Sequence, residues 1–121
     1  MTNSIGLEKA IKFALRIVNV YKHLTETRRE FVLSKQLLLS SAFIAKHAKA
    51  ALHSSMPGGF STEMYIALQR ALDTELWLLL LKEGDFLSET QFESLNNDCV
   101  ELIKMTSRIS KTSRENDNPA V

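Results

Sequence analysis

The stretch ELWLLLLKEG, from Glu75 to Gly84, decides how this chain folds. Its centre, Leu76–Leu81, is an unbroken run of six apolar residues. Glycine commonly follows the last turn of a helix, so we expect the run to form the end of an α-helix. A helix at a protein surface usually buries one apolar stripe, whereas this helix is apolar around its circumference. The leucines therefore predict that more than one side of the helix is covered.

The composition favours long helices in a single domain. The chain has 121 residues, 45% hydrophobic and 24% charged, with only two prolines and four glycines for tight turns. A membrane span needs about 20 apolar residues, and the run is much shorter. Near the start of the chain, Glu8, Lys9 and Lys12 interrupt the apolar segment that a signal peptide would require. Cys99 is the only cysteine, which suits a reducing compartment. We expect a soluble cytoplasmic protein.

Helix start and stop signals divide the chain into four helices. Capping boxes are predicted at Thr27 with Glu30 and at Ser88 with Gln91, and Ser61 is a further candidate cap. The Pro- and Gly-containing segment 54–61 is predicted as a loop. The predicted fold is all-α, an antiparallel up-and-down four-helix bundle. The helices are expected near 5–25, 28–53, 62–83 and 89–112, giving one domain over 1–112 and a polar, flexible tail over 113–121.

The four predicted helices differ in how much apolar surface they carry. Helix 4 repeats small and large apolar residues at steps of three and four, typical of a bundle seam, and places Cys99 there as a buried, inert thiol. Helix 1 carries two apolar stripes, one through Ile11 and Val18 and another through Phe13 and Ile17. Helices 2 and 3 hold more apolar surface than one bundle can bury, which predicts a neighbouring subunit. The residues expected in that interface are Leu38, Leu39, Phe43, Trp77, Leu79 and Leu80.

Charge is divided unevenly along the chain. Residues 1–62 carry a net charge of +6 and residues 63–121 a net charge of −5, and 31–62 contain no acidic residue. This asymmetry has two interpretations: the basic half binds a polyanion or an acidic partner, or the two halves pair with each other within the bundle. The residues predicted to contact nucleic acid are Lys9, Lys12, Arg16, Lys35, Lys46, Lys49 and His53.

Three stretches carry a family resemblance. They are LSKQLLLSSAFIAKHA (33–48), ALQRALDTELWLLLLKEGDFLS (67–88) and ELIKMTSRI (101–109). In order and spacing the chain resembles, over roughly residues 8–112, the four-helix-bundle family encoded in 23S ribosomal RNA intervening sequences, which is distantly related to accessory proteins of diversity-generating retroelements. The resemblance implies an up-and-down bundle that assembles into a homopentameric ring. It also implies association with nucleic acid or with a nucleic-acid enzyme.

The chain departs from the family at several polar positions. Leu38 and Leu39 stand where relatives usually carry a basic pair. The family's Asn-Ile-Ala-Glu-Gly run is replaced over residues 47–51, and Asp73 stands in place of a glutamate. If a polar site built from those residues matters in relatives, most of it is missing here. The resemblance therefore supports fold and assembly more strongly than any binding role.

No catalytic, metal or cofactor site is predicted. The histidines His23, His47 and His53 have no ligand partner at helical spacing, and the Glu-x-x-His signature of di-iron bundles is absent. Asp73 and Glu75 point to different sides of their helix. Arg16 and His23 resemble the loose Arg-x(4–6)-His signature of a helical ribonuclease family, against which a solvated basic stripe is the preferred interpretation.

The sequence therefore predicts a non-enzymatic homo-oligomer, pentameric by resemblance, that serves as an RNA- or DNA-associated accessory scaffold. One alternative is an adaptor whose basic surfaces bind an acidic protein such as a reverse transcriptase or another polymerase. A second alternative is a small helical ribonuclease that uses Arg16 and His23.

Overall fold

Four α-helices make up the structure, a computed structural model that describes residues 2–117, with side chains described over 6–112. They are α1 (Thr2–Glu26), α2 (Leu33–His53), α3 (Gly59–Glu83) and α4 (Glu89–Asp117), and no strand occurs within 2–117. This confirms the predicted all-α fold and its helix order. α4 extends beyond the predicted end at 112, into the segment expected to be a flexible tail. The rest of that tail, 118–121, lies outside the described residues.

Contacts between helices establish an antiparallel up-and-down bundle. Lys9 and Arg16 of α1 pair with Glu101 and Asp98 of α4, so higher numbers on one helix meet lower numbers on the other. Ser40 meets Thr74, and His47 meets Glu63, which sets α2 antiparallel to α3 in the same way. Among the described residues α1 packs on α2 and α4, and α3 packs on the same two helices. α1 and α3 are therefore diagonally opposite and run in the same direction.

The core is built from aliphatic side chains of all four helices. Fully buried members include Ile17, Leu37, Leu78 and Leu102, one from each helix. A second cluster joins Ala48 and Ala51 of α2 to Met64 of α3. Small residues at these positions allow α2 and α3 to approach closely, and aliphatic burial is the main source of stability.

The α2 start differs from the predicted capping box at Thr27. α2 begins at Leu33, and the Glu30 carboxylate accepts hydrogen bonds from the backbone N–H groups of Val32, Leu33 and Ser34 at 2.7–3.1 Å. Arg29 turns the chain in the left-handed region, with φ of 57°. Partial burial opposes ionisation of the carboxyl, but the hydrogen bonds outweigh it and lower the pKa of Glu30. Val32 is therefore the N-cap residue, and the Glu30 carboxylate caps the first turn of α2 from two residues before it. Glu30 is not the third residue of a helix capped by Thr27.

The other two helix starts give one correction and one confirmation. α3 begins at Gly59, after Gly58 in the left-handed conformation with φ of 73°, so Ser61 lies within the first turn and is not the cap. The Ser61 hydroxyl donates to the Gly58 carbonyl at 3.0 Å. The box at the start of α4 is confirmed: the Gln91 N–H donates to Ser88 Oγ at 3.1 Å, and the Ser88 N–H donates to Gln91 Oε1 at 2.8 Å.

Candidate nucleic-acid interface and exposed apolar surfaces

The outer surface of α2 carries exposed basic side chains and no acidic one. We name it the α2 basic stripe; it consists of Lys35, Lys46, Lys49 and His53. All four side chains are exposed, and α2 contains no acidic residue. Separations of 11 and 7 residues, about three and two helical turns, align Lys35, Lys46 and His53 on one side of the helix. Within the described part of the chain none of the three lysines makes an ion pair, so their charges remain available to a partner.

One member of the α2 basic stripe has an aromatic neighbour. Lys46 Nζ lies 5.0 Å from the centroid of the Phe43 ring, at a distance suited to a cation–π contact. The Phe43 ring also meets His47 edge-on, with centroids 6.2 Å apart. His47 Nδ1 in turn lies 3.2 Å from Glu63 Oε1. Sequence reasoning missed this pair because its residues lie on different helices, and only their packing brings them together.

The basic residues predicted on α1 lie on a different surface and are largely neutralised. Lys9 Nζ lies 2.8 Å from Glu101 Oε1, and Arg16 lies 2.6 Å from Asp98 Oδ2. Arg16 also donates to the side chain and carbonyl of Ser94. Lys12 is exposed beside them without an ion pair of its own in the described chain. The predicted nucleic-acid set thus divides in two, and on α1 the two halves of the chain pair with each other.

Two grooves run along the α1–α4 seam beside these ion pairs. One, of about 340 Å³, is lined by both residues of the ribonuclease alternative, Arg16 and His23, together with Gln91 and Leu95. The other, of about 300 Å³, lies around the Lys9–Glu101 and Arg16–Asp98 pairs. Asp98 and Ser94 engage the Arg16 guanidinium, so a phosphate entering this groove would compete with both residues for that side chain.

A second basic cluster that sequence reasoning did not single out lies on α4. Lys104, Arg108 and Lys111 are exposed and follow one another at steps of four and three, so they share a side of the helix. Their spacing was a signal available in the sequence. α4 differs from α2 because acidic residues precede the cluster along the helix, Asp98 and Glu101 among them.

The outer side of α3 is apolar and exposed. Leu78 and Leu81 of the Leu76–Leu81 run are fully buried in the core, whereas Leu76, Leu79 and Leu80 remain 39–48% exposed. We call the exposed surface the α3 apolar face; its leucines are Leu72, Leu76, Leu79 and Leu80. The run therefore meets its own core on one side only.

The residues predicted for a subunit interface fall into two groups. Leu39, Phe43, Leu79 and Leu80 are exposed, as an interface requires of a free subunit. Leu38 and Trp77 are partly buried and pack against the core of their own bundle.

A further apolar surface lies on α1. Of the two stripes predicted for this helix, the one through Phe13 and Ile17 is buried. The other leaves Ile11 45% and Val18 37% exposed, and Leu15 beside them is 59% exposed. We call Ile11, Leu15 and Val18 the α1 apolar stripe. Since α1 and α3 are diagonally opposite, the bundle carries apolar surfaces on two opposite sides.

Cys99 is buried in the core, as predicted. Its thiol donates to the Ala71 carbonyl, 3.4 Å away across the α3–α4 seam. Burial, with a smaller contribution from the carboxylates of Glu75 and Asp98, raises the pKa of Cys99 to about 12. The thiol therefore stays protonated and does not act as a nucleophile at neutral pH.

The described residues offer neither a cluster of metal-binding side chains nor a helix suited to a membrane. No three His, Cys, Asp or Glu side chains within 6–112 lie close enough together to share a metal ion. No helix in the described range has both the length and the apolar character to cross a membrane.

Comparisons with known proteins agree with the resemblance drawn from the three sequence stretches. The model of the 23S rRNA-intervening sequence protein family matches residues 2–108. The chain is also similar to a crystal structure at 1.70 Å resolution of a protein with unknown function from the S23 ribosomal protein family of Bacteroides thetaiotaomicron. The two are 38% identical, the match covers 92% of this chain and 99% of that chain, and the TM-score is 0.89. No curated protein matches the chain.

Proposed function

We propose, from the premise that the chain belongs to the 23S rRNA-intervening sequence protein family, that it is a non-enzymatic cytoplasmic scaffold that binds nucleic acid. The α2 basic stripe carries the proposal. It presents three lysines without carboxylate partners on a helix that has no acidic residue. A single buried cysteine with no partner supports a reducing compartment.

The α2 basic stripe suits phosphate groups better than bases. Lysine is a flexible point charge that contacts phosphate without reading sequence. The aromatic ring beside the stripe, Phe43, already lies against Lys46 and His47, and base stacking would require it to be free. Binding is therefore expected to depend on charge and shape, to weaken as salt rises, and to distinguish poorly between sequences.

Assembly would multiply this weak contact. One subunit offers three lysines, whereas a homopentamer, the state implied by the family resemblance, would repeat the stripe on each subunit. Affinity for a polyanion grows with the number of phosphates neutralised, so the ring would bind far more tightly than a subunit. The exposed leucines of the α3 apolar face support the assembly because large apolar patches usually mark interfaces.

The non-enzymatic assignment is supported by the state of the candidate catalytic groups. The Arg16 guanidinium is held by Asp98 and Ser94, and the Cys99 thiol is buried and protonated. Incubation of structured RNA with wild type and with His23→Ala should leave the RNA intact in both samples. Cleavage by wild type that His23→Ala abolishes would establish the ribonuclease alternative instead.

The binding test compares two surfaces with equal charge reversal. Binding of labelled structured RNA, duplex DNA and single strands is measured across a salt series, with the oligomeric mass determined in the same buffers. Lys35→Glu/Lys46→Glu/Lys49→Glu should abolish binding or flatten its salt dependence. The matched control, Lys104→Glu/Arg108→Glu/Lys111→Glu, changes the net charge equally on α4 and should retain most of the affinity.

Four outcomes would contradict the proposal. Equal loss in both triple variants would mean that net charge governs binding, and loss only in the α4 variant would place the surface there. No binding at low salt by an intact multimer would reject the nucleic-acid role, and a search for an acidic protein partner would follow. A wild-type protein that is monomeric at tens of micromolar would reject the assembly.

A further inference from the structure

We propose that the α3 apolar face of one subunit packs against the α1 apolar stripe of the next, so that subunits join head to tail. The inference rests on the homo-oligomer of the proposed function and adds which two surfaces meet. The occupant of each surface is a second copy of this chain, because the bundle itself carries two exposed apolar surfaces on opposite sides.

The two surfaces match in residue spacing. Each consists of three exposed apolar side chains followed by a charged one, at steps of four, three and four residues along the helix. The two series are Ile11, Leu15, Val18, Lys22 and Leu72, Leu76, Leu79, Glu83. Steps of three and four keep side chains on one side of a helix and are the spacing with which two parallel helices interdigitate.

The charged ends of the two series complement each other. Lys22 is exposed and has no ion pair in the described chain. Glu83 is 66% exposed at its side chain, and its one ion pair within the described residues is with the adjacent Lys82, at 3.6 Å. Lys22 ends the α1 series and Glu83 ends the α3 series, so parallel packing in register would place the two opposite charges at the same end of the contact.

The bundle geometry places the two surfaces at similar heights. α1 and α3 run in the same direction, because on each of them higher residue numbers meet lower residue numbers of α4. Cys99 of α4 contacts Ala71, and the neighbouring residues of α4, Asp98 and Glu101, contact Arg16 and Lys9. Both apolar series therefore lie near the same level of α4. A rotation about an axis parallel to the helices would bring α1 of one subunit beside α3 of the next.

The positions of the surfaces favour a head-to-tail contact over a self-complementary one. A two-fold contact between two α3 apolar faces would leave the α1 apolar stripe of both subunits in water. A head-to-tail contact covers both surfaces of every subunit that has two neighbours, and of all subunits if each contact turns the chain of subunits enough to close a ring. It also leaves α2 uncovered, including the predicted interface residues Leu39 and Phe43. Every copy of the α2 basic stripe would then lie on the same wall of a closed ring.

The test disables one surface at a time with the same substitution. Leu15→Glu introduces a charge into the α1 apolar stripe and Leu76→Glu into the α3 apolar face, at side chains that are 59% and 48% exposed. Mass in solution is measured for each variant and for their equimolar mixture, and circular dichroism checks the helical content. Met56→Glu, at a 72% exposed side chain outside both surfaces, is the control and should assemble as wild type does.

The mixture separates the two modes of contact. In head-to-tail packing each variant alone is monomeric, and the mixture forms a one-to-one dimer because one intact α3 apolar face meets one intact α1 apolar stripe. If Leu15→Glu assembles normally, or if two monomeric variants fail to combine, the inference is wrong while the homo-oligomer stands. If wild type is itself monomeric, the proposed assembly fails first. If either variant unfolds, Ile11→Glu and Leu72→Glu replace the pair.

Charge exchange provides an independent measurement. Lys22→Glu and Glu83→Lys should each weaken assembly several-fold at low salt, and the double variant should recover most of the loss. Equal weakening in all three variants would contradict the predicted contact between the two ends.

Discussion

The α2–α3 seam and the α1–α4 seam are built by different means. Between α2 and α3 the hydroxyls of Ser40 and Thr74 meet at 2.8 Å in a buried environment, and alanines of α2 pack on Met64. Between α1 and α4 the closest polar contacts are ion pairs whose side chains are 43–59% exposed, and two grooves lie beside them. Small residues allow α2 and α3 to pack closely and exclude water from their seam. The long charged side chains between α1 and α4 instead meet at a surface that water reaches.

The difference indicates where the stability of the bundle resides. Buried aliphatic contact and satisfied buried hydroxyls contribute to stability at any salt concentration, whereas exposed ion pairs contribute little and are screened. We therefore expect substitutions in the α2–α3 seam to be costly and those in the α1–α4 seam to be mild. The following substitutions test this expectation from the largest effect to the smallest, each at one protein concentration, because assembly would add to apparent stability.

The largest loss is expected at Met64, which is 2% exposed between α2 and α3. Met64→Ala removes buried apolar volume and leaves a cavity, so it should lower the free energy of unfolding by about 2–5 kcal/mol. The control is Met56→Ala, the same change at a side chain that is 72% exposed, which should change stability by less than about 0.5 kcal/mol. Urea unfolding measures both variants. Equal effects would mean that the α2–α3 seam is not closely packed.

The buried hydroxyl contact between the seam helices is the next test. Thr74 Oγ1 lies 2.8 Å from Ser40 Oγ and 2.8 Å from the Arg70 carbonyl of its own helix. Thr106 is 1% exposed, and among the described residues its hydroxyl contacts only carbonyls of its own helix, with Leu102 the nearest at 2.7 Å. Thr74→Val should therefore destabilise the fold by about 1 kcal/mol more than Thr106→Val. If the two changes cost the same, the hydroxyl contact across the seam adds nothing.

The Glu30 carboxylate at the start of α2 should make the stability of the fold depend on pH. Glu30→Gln should cost about 1 kcal/mol at neutral pH, because it replaces an ionised acceptor at the start of α2. Folding lowers the pKa of Glu30 from its ordinary value of 4.5, so the stabilisation is complete above that value. It is lost as pH falls through the lower pKa of the folded state.

Unfolding of wild type and Glu30→Gln from pH 7 to pH 3 measures that effect. The difference in stability should be constant near neutrality and shrink below about pH 4.5. Glu26→Gln, at the exposed glutamate that ends α1, is the control for removal of one carboxylate. A difference that is unchanged at pH 3 would show that the ionised carboxylate of Glu30 does not stabilise the fold.

The contrast between the seams also explains how far the sequence could be interpreted. Start and stop signals located the four helices, and periodicity within helix 4 located the buried position of Cys99, because burial on a helix repeats every three to four residues. It did not reveal that Lys9 and Arg16 pair with α4, since those pairs depend on the register between two helices. The basic residues of α1 were consequently grouped with those of α2, although they lie on different surfaces.

The α1–α2 connection was predicted incorrectly for a related reason. Thr27 and Glu30 fit a capping box by spacing, yet the left-handed turn at Arg29 moves the helix start to Leu33, and the Glu30 carboxylate caps its first turn. The spacing of Thr27 and Glu30 fits both a helix that starts after Thr27 and one that starts at Leu33. The backbone turn at Arg29 is what distinguishes the two. At Ser88 no such turn intervenes, and the predicted box forms.

The smallest effect is expected at the Lys9–Glu101 pair of the α1–α4 seam. Its side chains are 47% and 59% exposed, so the coupling energy in a cycle of Lys9→Gln, Glu101→Gln and the double variant should be below about 0.5 kcal/mol. High salt should remove most of that coupling by screening, whereas the Thr74→Val effect should persist. A coupling above 2 kcal/mol that survives 1 M salt would mean that water does not reach this seam. The two seams would then be alike in strength despite their different residues.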